Sequence, residues 1–252
     1  GDYMKKYISV ILAFFVLASS ILYCRIEKTS SKNIIQNNLP IIVIDAGHGG
    51  EDGGAVANDG TVEKKLNLEI ALKLNDVLSI MGYKTKLIRK TDTAIHTDGN
   101  TIRQRKISDI KNRFAIMNEY DNCLYISIHQ NKFNDTRIHG AQTFYSSNNL
   151  SSKILADFIQ KSISSQLQPD NKRVIKKSGT DIYLLYNAIK PAVMVECGFI
   201  SNVEELSKLK NKEYQGKMAI SIAFRPLHKC YPLPDWNQDT FSPEQWNFTE
   251  RW

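Results

Sequence analysis

The stretch Ile41-Ile42-Val43-Ile44 runs straight into Asp45-Ala46-Gly47-His48-Gly49-Gly50. Four β-branched apolar residues in succession leave no polar face, which predicts a strand buried on both sides within a parallel sheet. Glycines then free the backbone for a tight turn. In open α/β sheets, ligands gather where strands end and such turns begin. A histidine placed there either holds a metal or is incidental to the turn, and this stretch alone leaves both readings standing.

The remaining chain alternates helix and strand. Leu66, Ile70, Leu74, Val77 and Leu78 recur at helical spacing, predicting a helix with Thr61 as its cap and Gly82 as its stop. Tyr83 to Arg89 reads as a strand, and Arg103 to Tyr120 as a helix with Ile107, Ile110, Phe114 and Met117 on its apolar face. Leu124 to Ile128 is a strand that ends in His129-Gln130-Asn131. There follow a strand over Gly140 to Tyr145, a helix over Leu150 to Leu167, and a short strand over Asp181 to Leu185. A buried strand, Ala192 to Val195, ends in Glu196; Asn202 caps a short helix to Leu209, and Glu213 to Phe224 is the last helix. This order predicts an α/β fold: a single three-layer domain with a mostly parallel twisted sheet and helices on both faces.

The ends differ in character. Within residues 1–24, Lys5-Lys6 precede an apolar run from Tyr7 to Tyr23, the pattern of an export signal or membrane anchor with the lysines on the cytoplasmic side. Residues 25–38 form a polar linker, residues 39–224 the globular domain. Residues 225–252 hold Pro226, Pro232, Pro234, Trp236, Trp246 and Trp252 without a period, and no role is assigned to this tail. Lys and Arg total 33 against 26 Asp and Glu, a net charge of +7. The lysines are dispersed rather than interleaved with aromatics, which disfavours nucleic acid and suits an anionic surface such as membrane or cell wall. The four cysteines show neither CxxC spacing nor a disulfide framework. Cys123 and Cys197 lie in apolar runs and read as buried free thiols.

Three of the expected strands end in His48, His129 and Glu196. Glu63 opens the helix after the His48 turn, and helix N-termini in this topology face the same sheet edge. Two histidines and a carboxylate leave a position open on a zinc ion, the donor set of hydrolytic sites, and Glu196 is then free to act as base. Each residue also has a plainer reading. Glu63 suits the helix dipole, and His129 suits a satisfied core histidine. An ionised Glu196 among apolar neighbours is costly unless paired or used. His139 stands near a fourth ligand position but reads as a solvated loop residue, as do His96 and His228.

Four segments occur in a telling order: Asp45 to Gly50, Glu63-Lys64, Ser127 to Asn131, and Val195 to Asn202. Together they resemble the zinc-dependent N-acetylmuramoyl-L-alanine amidases of the amidase type 3 family, over about Leu39 to Phe224. The resemblance implies Zn2+ as cofactor, His48, Glu63 and His129 as its ligands, Glu196 as the catalytic residue and Asn131 as a substrate contact. Arg89, Asp92, Arg113 and Asn118 also match recurrent family positions. The anchor, the compact domain and the wording Glu196-Cys197-Gly198-Phe199 are similar to the spore-cortex amidases of endospore formers. Those remove stem peptides from peptidoglycan so that muramic lactam forms and germination enzymes recognise the cortex. The resemblance thus implies an extracytoplasmic place, between the forespore membranes in a spore former. Relatives silenced by an inserted helix carry a long segment after the second zinc histidine. Here only Lys132 to His139 intervenes, so the resemblance implies control from elsewhere, an activating partner lipoprotein included. Two other classes stay open: a membrane-tethered, non-catalytic wall-binding or scaffold protein, and a zinc carboxypeptidase acting on peptide stems.

Overall fold

The computed structural model describes Met4, Tyr7, residues 19–23 and residues 39–230, with the backbone alone at 224–226 and 228–230. Among the described residues, 40–230 belong to one compact unit. Ser19 to Tyr23, in a separate unit, are helical and exposed. No helix among the described residues is long and apolar enough to cross a membrane. Most of the expected anchor, the linker 25–38 and the tail beyond Cys230 lie outside the described residues.

The elements of the compact unit are β1 (Ile41–Ala46), α1 (Glu63–Ile80), β2 (Thr85–Leu87), α2 (Ile102–Asn118), β3 (Cys123–Asn131) and β4 (Gln142–Tyr145). Then come α3 (Leu150–Gln166), β5 (Lys176–Lys177), α4 (Tyr183–Asn187), β6 (Ala192–Phe199), α5 (Val203–Lys210) and α6 (Lys212–Cys230). The strands form one sheet in the order β2-β1-β3-β6-β4-β5. β1, β2, β3 and β6 run parallel; β4 is antiparallel to β6 and carries β5 parallel to itself. The domain is therefore α/β with a mostly parallel sheet, as its alternating pattern requires.

Alternation along the strands decides what each face carries. Ile42, Ile44, Leu124, Ile126, Val193 and Val195 are fully buried and point to the face where α6 packs between α1 and α3. Val43, Tyr125 and Met194 point the other way, into a cluster with Met117 of α2 and Leu184 and Leu185 of α4. One step further along the same strands, Asp45, Ser127 and Glu196 lie on that second face. The functional edge is thus the polar continuation of the smaller core.

Several elements differ from expectation. Asp181 to Leu185 is not a strand; Tyr183–Asn187 is helical. A strand would turn Leu184 and Leu185 to opposite faces; as helix α4 the segment buries both in the smaller core. Thr61 does not cap α1; the N-cap is Val62, without a side-chain bond. α2 begins earlier, where Thr101 and Gln104 form a reciprocal capping box. Its expected apolar face is largely open: only Arg113 and Met117 are buried, while Ile107 and Ile110 are exposed. α6 continues past Phe224 to Cys230, with Leu227 fully buried. Asn202 does cap α5, accepting from Glu205 N.

Candidate metal centre

The turn after β1 begins with His48 in the left-handed region at φ 62°, a conformation that costs a residue with a Cβ roughly 1–2 kcal/mol. Two buried arginines hold it. Arg113 Nη2 donates to His48 O at 2.7 Å and Nη1 to Ala46 O at 3.0 Å. Arg89 Nε donates to Ala46 O at 2.8 Å, and its Nη2 to Gly47 O at 3.0 Å and Lys64 O at 2.8 Å. Three consecutive carbonyls of the turn are thereby fixed. Asp92, the third of the matched positions, accepts from Gly50 N at 3.0 Å and pairs with Lys64 at 2.7 Å. Asn118, the fourth, bonds back only to Phe114 O within its own helix.

Beneath the turn, Asp45 is buried and pairs with Arg113. Tyr125 and Ser127 donate to its second oxygen at 2.5 and 3.1 Å. Burial would raise the Asp45 pKa, but the Arg113 charge and these hydroxyl bonds outweigh it and hold the carboxyl below its usual range. Arg113 also pairs with Asp109 at 2.5 Å, so this buried ion network is closed.

At the sheet edge, ligand atoms of His48, Glu63 and His129 all lie within 4.8 Å of one another. Glu63 is the first residue of α1 and stands between the histidines, with Oε2 3.3 Å from His48 Nε2 and Oε1 3.0 Å from His129 Nδ1. Ala55 N, Gln130 N and Asn67 Nδ2 donate to the same carboxylate at 2.9, 3.1 and 3.1 Å. Burial works against its charge, yet the hydrogen bonds and charges of His129 and His48 win, and the Glu63 pKa is lowered. For His48 burial is again the opposing cause; Asp52 and Glu63 prevail and raise its pKa to about 9. The Nε2 edge of the His129 ring lies against Gly47, where an added Cβ would come 2.2 Å from Nε2. Only glycine leaves room for the ring, so Nδ1 is the nitrogen turned inward.

Glu196 stands in register with His129. Burial raises its pKa to about 7, reinforced by the Glu63 charge and opposed by the histidines. Its buried Oε2 has no hydrogen-bond partner among the described residues. The donor set suits a divalent cation: two imidazole nitrogens and a carboxylate oxygen, with a further carboxylate left unpartnered beside them. A cleft of about 240 Å³ opens beside His48 and His129, walled by Ile110, Ile182, Tyr183 and Met194.

The structure therefore brings His48, Glu63, His129 and Glu196 to one edge. Asn131, at the end of β3, gives its backbone carbonyl to Ile200 N at 2.8 Å, and its side chain takes no described hydrogen bond. His139 is exposed on its loop and bonds to Arg137 O, and His96 lies 4.0 Å from Glu51, so neither joins the group. The His228 side chain lies outside the described residues. Asp52 is the residue the sequence reading missed: its Oδ2 holds His48 Nδ1 at 2.9 Å. A carboxylate four residues after the histidine was the available signal.

The comparisons with known proteins agree with this geometry. Residues 42–224 match the family described as N-acetylmuramoyl-L-alanine amidase. The germination-specific N-acetylmuramoyl-L-alanine amidase of Bacillus subtilis strain 168 is 34% identical over 222 residues, covering 86% of this chain and 91% of that protein. The CwlD amidase of Clostridioides difficile, solved in complex with the GerS lipoprotein, superposes with a TM-score of 0.72 at 37% identity, covering 75% of this chain and 97% of that one. An N-acetylmuramoyl-L-alanine amidase from Clostridium difficile 630 gives 0.66 at 29%, covering 77% and 97%. The four segments that carry the resemblance meet at one edge of the sheet, and the chain belongs to the N-acetylmuramoyl-L-alanine amidase family.

Proposed function

We propose that this protein is a zinc-dependent peptidoglycan amidase that hydrolyses the bond between the lactyl group of N-acetylmuramic acid and L-alanine. The observation that carries the reading is the Glu196 carboxylate beside the His48, Glu63 and His129 cluster, whose buried Oε2 has no hydrogen-bond partner among the described residues. In this reading His48 Nε2, His129 Nδ1 and a Glu63 oxygen hold the cation. Zinc, when bound, supplies Lewis acidity that polarises the scissile carbonyl and acidifies water. Glu196 takes the proton of the attacking water and passes it to the departing amine of L-alanine. A carboxyl whose pKa stands near neutrality suits both transfers. Arg89 and Arg113 keep the His48 turn rigid while charge develops.

The germination-specific relative supports a place in spore-cortex maturation, and the GerS complex of the CwlD neighbour supports a lipoprotein partner for this chain too. An extracytoplasmic, membrane-tethered location follows from the same reading and from the apolar run after Lys6. The test is product analysis of digested peptidoglycan by mass spectrometry. Metal-loaded protein should release stem peptides that begin with L-alanine, and a chelator should stop release. Glu196→Ala should lower turnover by about 10²–10⁴-fold while the metal stays bound. Stems shortened from the carboxyl end, or near-normal turnover by Glu196→Ala, would overturn the reading.

A further inference from the structure

Charge is unevenly distributed around the cleft. On the α2 side the carboxylates have cationic partners: Glu51 with Arg105, Asp52 with His48 and Lys106, Asp109 with Arg113. On the other side of Glu196 the sheet continues into β4 and β5, where cations stand without such partners among the described residues, and Asp181 is a cleft carboxylate outside these pairs. Gln142 lies directly across from Glu196, Phe144 lies across from Met194, and Lys176 lies beside Phe144. Residues opposed in a ladder share a sheet face. Gln142, Phe144 and Lys176 therefore extend the face that bears Glu196.

Two cations are held on this extension. Arg173 Nη1 donates to Gln142 Oε1 at 3.2 Å and Nε to His139 O at 2.9 Å, and its guanidinium carbon lies 4.6 Å from the centre of the buried Phe199 ring. The Lys176 ammonium lies 5.5 Å from the centre of Phe144. Neither has a carboxylate partner among the described residues. Stacking and hydrogen bonds fix the Arg173 fork before any ligand arrives, and Nη2 takes no part in them. A fixed guanidinium with spare donors is a carboxylate receptor, and a nearby ammonium adds a second charged donor.

We propose that Arg173 and Lys176, with Gln142 orienting the guanidinium, form a subsite for a carboxylate of the substrate's peptide, on the leaving-amine side of the scissile bond. The inference rests on the amidase reading. Stem peptides are acidic and the glycan is far less so, so the peptide lies over β4 and β5 and the sugar lies toward α2. Neighbouring strands stand about 4.8 Å apart, which puts the cations roughly 5–10 Å to the side of Glu196. Extended peptide covers that in about two to three residues. The carboxylate engaged is then the first one beyond L-alanine.

The experiment uses two synthetic muramoyl peptides that differ only in whether that carboxylate is free or amidated. Metal-loaded wild type, Lys176→Gln and Arg173→Gln are compared on both. Wild type favours the free acid by about tenfold in kcat/KM, carried by KM, and added salt narrows the preference. Each variant brings the ratio toward one. Lys176 is exposed, so Lys176→Gln reads the subsite without disturbing the fold. A wild-type ratio near one, or a ratio unchanged in both variants, overturns the subsite and leaves the amidase reading intact. Wild type that releases peptide from neither substrate overturns the amidase reading itself.

Discussion

Asp52 places Oδ2 2.9 Å from His48 Nδ1 and Oδ1 2.7 Å from Lys106 Nζ. One carboxylate thus selects which nitrogen of His48 faces Glu63 and ties the His48 turn to α2. Carboxylates in this position typically set metal affinity by one to two orders of magnitude. Asp52→Ala should weaken zinc binding about 10–100-fold in a chelator competition, and excess zinc should restore much of the lost turnover.

Glu196 accepts a proton only as a carboxylate. With its pKa raised to about 7 by burial, the base is lost as pH falls. A bound cation draws the value down, so kcat/KM should drop about tenfold per unit on an acid limb at or below pH 7. A rate profile flat down to pH 4.5 would exclude Glu196 as the base.

In the metal-free site His48 stays protonated up to about pH 9, because Asp52 and Glu63 outweigh the effect of burial. A ligating imidazole must be neutral. Zinc binding near pH 8, where Glu196 is already largely ionised, should therefore expel about one proton from His48, and less above pH 9. Calorimetry in buffers of different ionisation heat measures that number. The same raised pKa adds stability to the metal-free protein that is complete below the unfolded value of 6.5 and lost as pH rises through about 9.

Removing the charge of Asp45 leaves Arg113 with Asp109 as its remaining carboxylate partner. Asp45→Asn should cost about 2–3 kcal/mol of stability in a urea titration. The wild-type pair follows the opposite pH rule from His48. The Asp45 pKa is lowered in the fold, so its contribution is present above the unfolded value of 3.8 and vanishes as pH falls through the folded one.

Gly47→Ala would set a Cβ 2.2 Å from His129 Nε2. The ring must move and carry Nδ1 away from Glu63. The variant should keep its far-ultraviolet circular dichroism and lose stoichiometric zinc.

The sequence carried the main strands because β1, β3 and β6 are buried on both faces and spell that out in unbroken apolar runs. It also carried His48, Glu63, His129 and Glu196 as residues that would meet at one sheet edge, since each sits at a strand end or helix start. Residues that act through folded proximity were less legible. Nothing local to Arg113 says that it will cross to Asp45, and nothing local to Glu205 says that it will accept from Gly140 N and Phe199 N. Tyr183-Leu184-Leu185 reads as a strand until Leu184 and Leu185 are both seen to enter the same core. The two-residue β5 is too short to leave any period.

The two margins of the sheet are β2, three residues long, and β5, two residues long, and both carry lysine: Lys86 on one, Lys176 and Lys177 on the other. A brief, charged border gives a second chain little backbone to zip onto. For a protein expected to work in a crowded polymer mesh, this favours staying dispersed over growing into fibrils. The domain can then be concentrated for crystallography without engineered edge substitutions.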